Sequence, residues 1–179
     1  MILIVSTCAD RLSEYEFVKP LARILGRYDS YEVVSYREVG PGVVERYDKV
    51  VISGTALKDF DYLRYVDRFS WVKEFEGPVL GICAGLQLVS LVFRVGLRDK
   101  LVIGVREVEV VRENRLAKTG KLKAYFVTSK LPAPSSAVEV LGVSEGENVF
   151  FKVKDREVYA LAFHPEVYNE EILASFARL

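Results

Sequence analysis

The chain has 179 residues and a mass of 20.3 kDa, with 50% hydrophobic and 28% charged side chains. This apolar content is enough for one compact domain with a substantial core, and it excludes a disordered chain. The 25 basic residues balance the 25 acidic ones, so the net charge gives no electrostatic case for a nucleic acid or an anionic membrane as partner.

The amino-terminal residues show no sign of a targeting segment. Residues 1–17 have no basic n-region, and their apolar run ends before Ser6, which is too short for a signal sequence or a membrane span. We therefore expect a cytoplasmic protein.

The first half of the chain alternates between β-branched apolar runs and stretches with helical spacing. Such alternation favours a parallel sheet covered by helices. The predicted strands are Ile2–Val5, Tyr31–Tyr36, Lys49–Ile52 and Val79–Ile82.

Three helices are predicted in the same region. Apolar residues from Phe17 to Tyr28 share one helix face, Ser13 and Glu16 resemble a capping box, and Pro20 favours a helix start near Lys19. The second helix covers Tyr62–Phe75, with Asp59 and Asp61 as candidate N-caps, and the third covers Ala84–Val95 and is apolar nearly all round, as expected of a buried helix.

The second half changes to strands separated by turn residues, and a final helix follows at Glu170–Leu179. We therefore predict an α/β fold over residues 1–179, as one domain. It is an open, doubly wound, mostly parallel sheet with helices on both faces and with mixed or antiparallel strands in the second half. The predicted later strands are Val105–Val111, Leu122–Thr128, Val138–Val143, Val149–Val153 and Val158–Phe163.

Cys83 lies between an apolar strand and a helix, with Gly81 and Gly85 two residues to either side. This is the sequence form of a nucleophile elbow, in which the two glycines relieve crowding around a strained turn. The turn would place the thiol at the carboxyl edge of the sheet, and the helix dipole would favour its thiolate. Gln87 follows one helical turn later on the same face.

The sole histidine, His164, ends a predicted strand and is followed by Pro165 and Glu166. Since Pro165 disfavours helix at His164, we expect an extended tripeptide in which Glu166 and His164 project to the same side. Glu166 would then fix the imidazole tautomer, so that the other ring nitrogen faces the thiol as a base. The chain has one His, one Gln, one Met and three Asn, a scarcity reminiscent of heat-adapted proteins, so these motifs use residues that the sequence otherwise avoids.

The two motifs together resemble the class I, or triad-type, glutamine amidotransferases, and the resemblance covers essentially the whole chain. It implies a flavodoxin-like core and a Cys that attacks the carboxamide of glutamine, giving a glutamyl thioester and ammonia for a synthetase. The ending His164–Val167 most resembles the small subunit of two-chain GMP synthases, and anthranilate-type small subunits somewhat less.

By the same resemblance, Cys83 is the nucleophile, His164 the general acid and base, and Glu166 its orienting partner. The oxyanion hole would use the N–H of Ala84 and the loop at Gly54 and Thr55. Substrate contacts would come from Gln87, Gly81, Gly85 and Ser129, with no metal and no cofactor.

The sequence departs from the family pattern at two places. Thr55 and Ala56 replace Gly and Pro in the oxyanion loop, and a Thr tolerates fewer backbone conformations than a Gly. Lys130 follows Ser129 where relatives have a Ser-His pair. Cys8, after the first strand, should lie near the same sheet edge as Cys83 as a passive thiol.

The leading interpretation is a glutaminase subunit whose acceptor chemistry belongs to another polypeptide, because the chain has no phosphate-binding Gly-x-x-x-x-Gly-Lys-Ser/Thr loop. One alternative keeps the triad but hydrolyses γ-glutamyl amides or peptides without ammonia transfer. Another is a glutamine-binding or regulatory protein whose oxyanion loop has weakened turnover.

Overall fold

The computed structural model describes residues 1–179, in which nine strands form one sheet. The strands are β1 (Ile2–Ser6), β2 (Tyr31–Ser35), β3 (Lys49–Ile52), β4 (Val79–Ile82), β5 (Leu97–Val110), β6 (Gly120–Pro132), β7 (Val138–Ser144), β8 (Glu147–Val153) and β9 (Val158–Leu161). Their order across the sheet is β2-β1-β3-β4-β9-β8-β7-β5-β6. The first five in this order are parallel and the other four pair antiparallel, which confirms the predicted α/β sheet.

The central strands follow from their composition. β1, β4 and β9 are buried along their whole length, as expected of Val-, Ile- and Leu-rich runs covered on both faces. β2 lies at the edge of the sheet and is largely exposed. The buried hydrophobic side chains of both halves of the chain form one continuous cluster.

Helices cover both faces of the sheet, and none of them is both long and apolar enough to cross a membrane. Two further segments, Arg11–Ser13 and Asp61–Lys73, are 3-10 helices. The α-helices are α1 (Glu14–Phe17), α2 (Lys19–Leu25), α3 (Pro41–Val44), α4 (Ala84–Val92), α5 (Pro165–Tyr168) and α6 (Glu170–Ala177).

Several predicted helix ends differ from the structure. The capping box is wrong: Ser13 makes no capping hydrogen bond, and Asp10 instead accepts from the N–H of Leu12. The helix predicted at Tyr62–Phe75 is a 3-10 segment interrupted by non-helical backbone at Tyr65. The start of α2 at Lys19, with Pro20 in its first turn, agrees with the sequence-based expectation.

The second half is a long antiparallel ribbon that curls back over the carboxyl ends of the parallel strands. Three alternate carbonyls on the free edge of β6 show this. The carbonyl of Lys123 accepts from Asn169 Nδ2 at 3.0 Å, that of Tyr125 from the His164 N–H at 2.8 Å, and that of Val127 from Cys83 Sγ at 3.3 Å. The last strand of the sheet therefore forms one wall of the site predicted at Cys83 and His164.

Candidate active site

The turn between β4 and α4 holds Cys83 in a strained backbone conformation, with φ 52° and ψ −100°. A side chain at positive φ costs about 1–3 kcal/mol and persists only where its surroundings enforce it. Here the Cys83 N–H donates to the carbonyl of Leu161 at 2.8 Å, which ties the elbow to β9. The geometry is that of the predicted nucleophile elbow.

The two flanking glycines allow α4 to pack directly on the strand ends. A methyl group on Gly81 would lie 2.5 Å from the Gly85 carbonyl oxygen, and one on Gly85 would lie 2.3 Å from the carbonyl oxygen of Ile52. These approaches are closer than real Cβ atoms make, so both positions require glycine. Neither glycine lines the cavity beside the thiol.

His164 follows β9, the parallel neighbour of β4, and its Nδ1 lies 2.9 Å from Glu166 Oε1. Both side chains are almost fully buried, with 2% and 4% of their surface exposed. The expected extended tripeptide is only partly correct: His164 is extended, but Pro165 begins the short helix α5. Glu166 therefore reaches the imidazole from the first turn of a helix.

The structure brings Cys83 and His164 to the same place, on opposite sides of Gly54. A methyl group on Gly54 would lie 2.7 Å from His164 Cε1 and 3.2 Å from Cys83 Cβ. The thiol donates to the Val127 carbonyl, and the second ring nitrogen of His164, Nε2, is buried without a hydrogen-bond partner. The predicted thiol–imidazole hydrogen bond is thus absent, while an unpaired imidazole nitrogen remains beside the thiol.

The electrostatics of the pair favour a charged imidazole. Burial opposes the imidazolium, but the contacts with the Cys83 thiolate and the Glu166 carboxylate outweigh it and hold the pKa of His164 well above its ordinary value. A thiolate–imidazolium pair is therefore the state that these surroundings stabilise.

The loop after β3 carries the residues predicted for the oxyanion hole. Thr55 is 3% exposed, and its hydroxyl donates to Asp59 Oδ2 at 2.7 Å. The same carboxylate oxygen accepts from the Ala9 N–H at 2.8 Å, so Asp59 links this loop to the loop after β1. Ala84, the other predicted donor, begins α4 and is buried.

A small cavity adjoins the thiol, with a volume of about 10 Å³, the space of roughly one water molecule. Of the predicted site residues, Thr55, Cys83, Ala84, Gln87 and Ser129 line it. A larger open depression, of about 520 Å³, lies at residues 113–119 and contains none of the predicted site residues.

Several functional contacts were not predicted from sequence. The hydroxyl of Tyr62 donates to Gln87 Oε1, a contact that fixes the orientation of the Gln87 amide. Tyr125 and Val127 contribute through their backbone carbonyls, which leave no signal in the sequence. Asp59 was predicted only as a helix cap.

No group of three or more His, Cys, Asp or Glu side chains lies close enough to hold a metal ion. Both cysteines are free thiols. Cys8 lies at the same sheet edge as Cys83, as expected, with its Sγ 3.7 Å from the Gly54 carbonyl oxygen.

Solved structures share this fold. A protein from Thermoplasma acidophilum superimposes with a TM-score of 0.85 at 19% identity, covering 99% of this chain and 93% of that one. A glutamine amidotransferase from Thermotoga maritima gives a TM-score of 0.72 at 22% identity, covering 93% of this chain and 76% of that one.

Sequence relatives point the same way. One glutamine-hydrolyzing GMP synthase subunit, from Pyrococcus abyssi, is 32% identical over 116 residues, which cover 59% of this chain and less than two thirds of that protein, 62%. The corresponding protein of Sulfolobus acidocaldarius is 28% identical over 137 residues, 72% of each chain. The family model described as glutamine amidotransferase class-I matches residues 13–176. Because this match covers nearly the whole chain, the protein belongs to the class I glutamine amidotransferase family.

Proposed function

We propose that the chain is the glutaminase component of a two-part enzyme. It hydrolyses the side-chain amide of glutamine through a Cys83 thioester and supplies the ammonia to a synthetase. The observation that carries this proposal is the strained Cys83 thiol beside the buried His164–Glu166 pair, at the edge of the sheet where open α/β folds bind their ligands.

In the first half of the reaction, the Cys83 thiolate attacks the carboxamide carbon of glutamine, and the C=O electron pair moves to oxygen. The N–H groups of Thr55 and Ala84 are the proposed donors to this oxyanion. When the intermediate collapses, the C–N bond breaks and the imidazolium of His164 gives its proton to the leaving nitrogen. Ammonia departs and a glutamyl thioester remains.

In the second half, water attacks the thioester carbon while neutral His164 takes one of its protons. Collapse of this intermediate breaks the C–S bond, which releases glutamate and restores the thiolate–imidazolium pair. Glu166 does not transfer a proton in this scheme. Its carboxylate holds the imidazole ring in place and stabilises the imidazolium.

Gln87 and Ser129 are the proposed substrate contacts, since both line the cavity beside the thiol. We propose that Gly81 and Gly85 act by making room for the elbow, because neither reaches that cavity. A cavity of about 10 Å³ does not hold a glutamine molecule. Substrate entry therefore requires the segments 55–60 and 127–129 to separate.

The proposed acceptor of ammonia is the synthetase component of a GMP synthase, on the strength of the Pyrococcus and Sulfolobus relatives. A Thermotoga maritima PurLQS structure, with a TM-score of 0.76 at 13% identity and covering 99% of this chain and 97% of that one, shares the fold alone. We keep a cytoplasmic location as part of the proposal, which the two free thiols support.

The experiment measures glutamate and ammonia release from glutamine by the purified chain and by its Cys83→Ala variant, with and without the synthetase component of a GMP synthase. We expect release by the wild type alone, stimulation by the synthetase, and none by the variant.

Two other results would point to the alternative functions. Faster release of glutamate from γ-glutamyl peptides than from glutamine, with no effect of a synthetase, would identify a γ-glutamyl hydrolase. Saturable glutamine binding without turnover, together with no alkylation of Cys83 by a diazoketone analogue of glutamine, would identify a binding protein.

A further inference from the structure

The backbone N–H of Thr55 is a buried donor without a partner. Thr55 is 3% exposed, and its N–H donates no hydrogen bond although its hydroxyl does. Buried N–H groups are nearly always paired, so an unpaired one next to a nucleophile indicates a donor held in readiness for a ligand.

The carbonyl on the other side of the same peptide is, by contrast, firmly held. The Gly54 carbonyl oxygen accepts from Ser53 Oγ at 2.9 Å and from Cys8 Sγ at 3.7 Å. Ser53 is itself fixed, because its Oγ accepts from the Thr7 N–H at 3.1 Å and its carbonyl accepts from the Thr7 hydroxyl at 2.9 Å. The loop after β1 therefore anchors this carbonyl.

Peptide geometry converts this anchor into a direction for the N–H. The chain has no cis peptide bonds, and in a planar trans peptide the carbonyl and the following N–H point to opposite sides. With the Gly54 carbonyl turned to Cys8 and Ser53, the Thr55 N–H faces away from them. Thr55 lines the cavity beside Cys83, whereas Cys8 and Ser53 do not.

We propose that Ser53 and Cys8 are positioning residues for the oxyanion hole, which hold the Gly54–Thr55 peptide with its N–H available to the reacting carbonyl. This inference rests on the proposed glutaminase function. The contact between the Thr55 hydroxyl and Asp59 secures the loop from its other side. The Thr that replaces a flexible Gly thus belongs to a loop already locked in one orientation, and the hole is formed in the isolated chain.

The test compares Ser53→Ala, Cys8→Ala and the double variant with the wild type, in the absence of any synthetase. Because loss of one oxyanion donor costs about 10²- to 10³-fold in rate, we expect partial losses of about tenfold in kcat for Ser53→Ala and a larger loss for the double variant, with little change in KM. Cys8→Ala tests the weaker contact alone and leaves the Thr7 N–H paired with Ser53.

A second measurement separates the oxyanion hole from the thiol itself. Alkylation of Cys83 by iodoacetamide forms no oxyanion, so its rate should be unchanged in all three variants. Ser90→Ala is the matched control, since Ser90 is a fully buried serine on α4 whose hydroxyl makes no hydrogen bond. Its kcat and its alkylation rate should equal those of the wild type.

Unchanged kcat in the double variant would overturn the inference, as would equal losses of kcat and of alkylation rate, which would show a general disturbance of the thiol. A wild-type chain that reacts with a diazoketone analogue of glutamine but hydrolyses no glutamine alone would also overturn it, and the proposed function would stand. A wild-type chain that reacts with neither would refute the proposed function.

Discussion

Gly54→Ala tests how closely the two catalytic candidates are packed. The new methyl group would lie 2.7 Å from His164 Cε1, whereas non-bonded carbon atoms settle at about 3.5–4.0 Å. Either the imidazole or the loop must therefore move by roughly 1 Å. The ring has little room, because His164 is 1% exposed and is packed against the Phe17 and Tyr125 rings at centroid distances of 5.5 and 6.4 Å.

The magnitude follows from this displacement. A misplacement of about 1 Å costs about 10²-fold in rate, so kcat for glutamine hydrolysis should fall by about that factor. Overpacking a buried site costs about 1–3 kcal/mol, which lowers the melting temperature of a domain of this size by about 2–12 °C. The variant should remain folded while losing most of its activity.

The assay measures ammonia release and thermal unfolding for Gly54→Ala beside Gly42→Ala. Gly42 has no atom within 4 Å of the position of an added methyl group, and it lies in the exposed helix α3. Its variant should match the wild type in kcat. Wild-type kcat in Gly54→Ala would refute the reasoning, because it would show that the thiol and imidazole do not depend on the spacing at this glycine.

Two further predictions concern residues that support the pair and the cavity. Glu166→Gln removes a carboxylate that raises the pKa of His164, so the imidazolium loses its proton at lower pH and the alkaline limb of the kcat/KM profile should move to lower pH. Tyr62→Phe removes the donor to Gln87 Oε1 and leaves that amide free to rotate, so KM for glutamine should rise several-fold with little change in kcat.

Each of these predictions has a matched control. Glu171→Gln changes an exposed carboxylate at the start of α6 and should leave the pH profile in place. Tyr159→Phe removes another buried tyrosine hydroxyl, which donates to Glu157, and should leave KM unchanged. An unmoved alkaline limb in Glu166→Gln, or an unchanged KM in Tyr62→Phe, would contradict the corresponding role.

The sequence was most informative where local chemistry determines structure. The elbow at Cys83 needs small residues at 81 and 85, and the close backbone approaches at both glycines confirm that requirement. The central parallel strands were located within a residue or so, because their apolar runs are continuous and bounded by polar or turn residues. The only His and the only Gln marked the rest of the motif.

Other features depend on distant parts of the chain. β5 begins at Leu97, eight residues before the predicted start at Val105, because its pairing with β6 continues through exposed charged residues that carry no strand pattern. The thiol donates to Val127 rather than to His164, since the curl of the ribbon brings a backbone carbonyl to Cys83. Glu166 reaches the imidazole from a helix because Pro165 starts one as readily as it extends a strand.

The position of β9 between β4 and β8 has a consequence for how the molecule is made. β4 pairs with β9 in the register Val79↔Val158, and one of its edges therefore stays without a partner until the last strand has left the ribosome. An incomplete nascent chain exposes this apolar edge, which other chains can pair with, and it lacks the imidazole altogether. Biosynthesis thus delivers the sulfur long before the group that would activate it, and a truncated product is both sticky and inert.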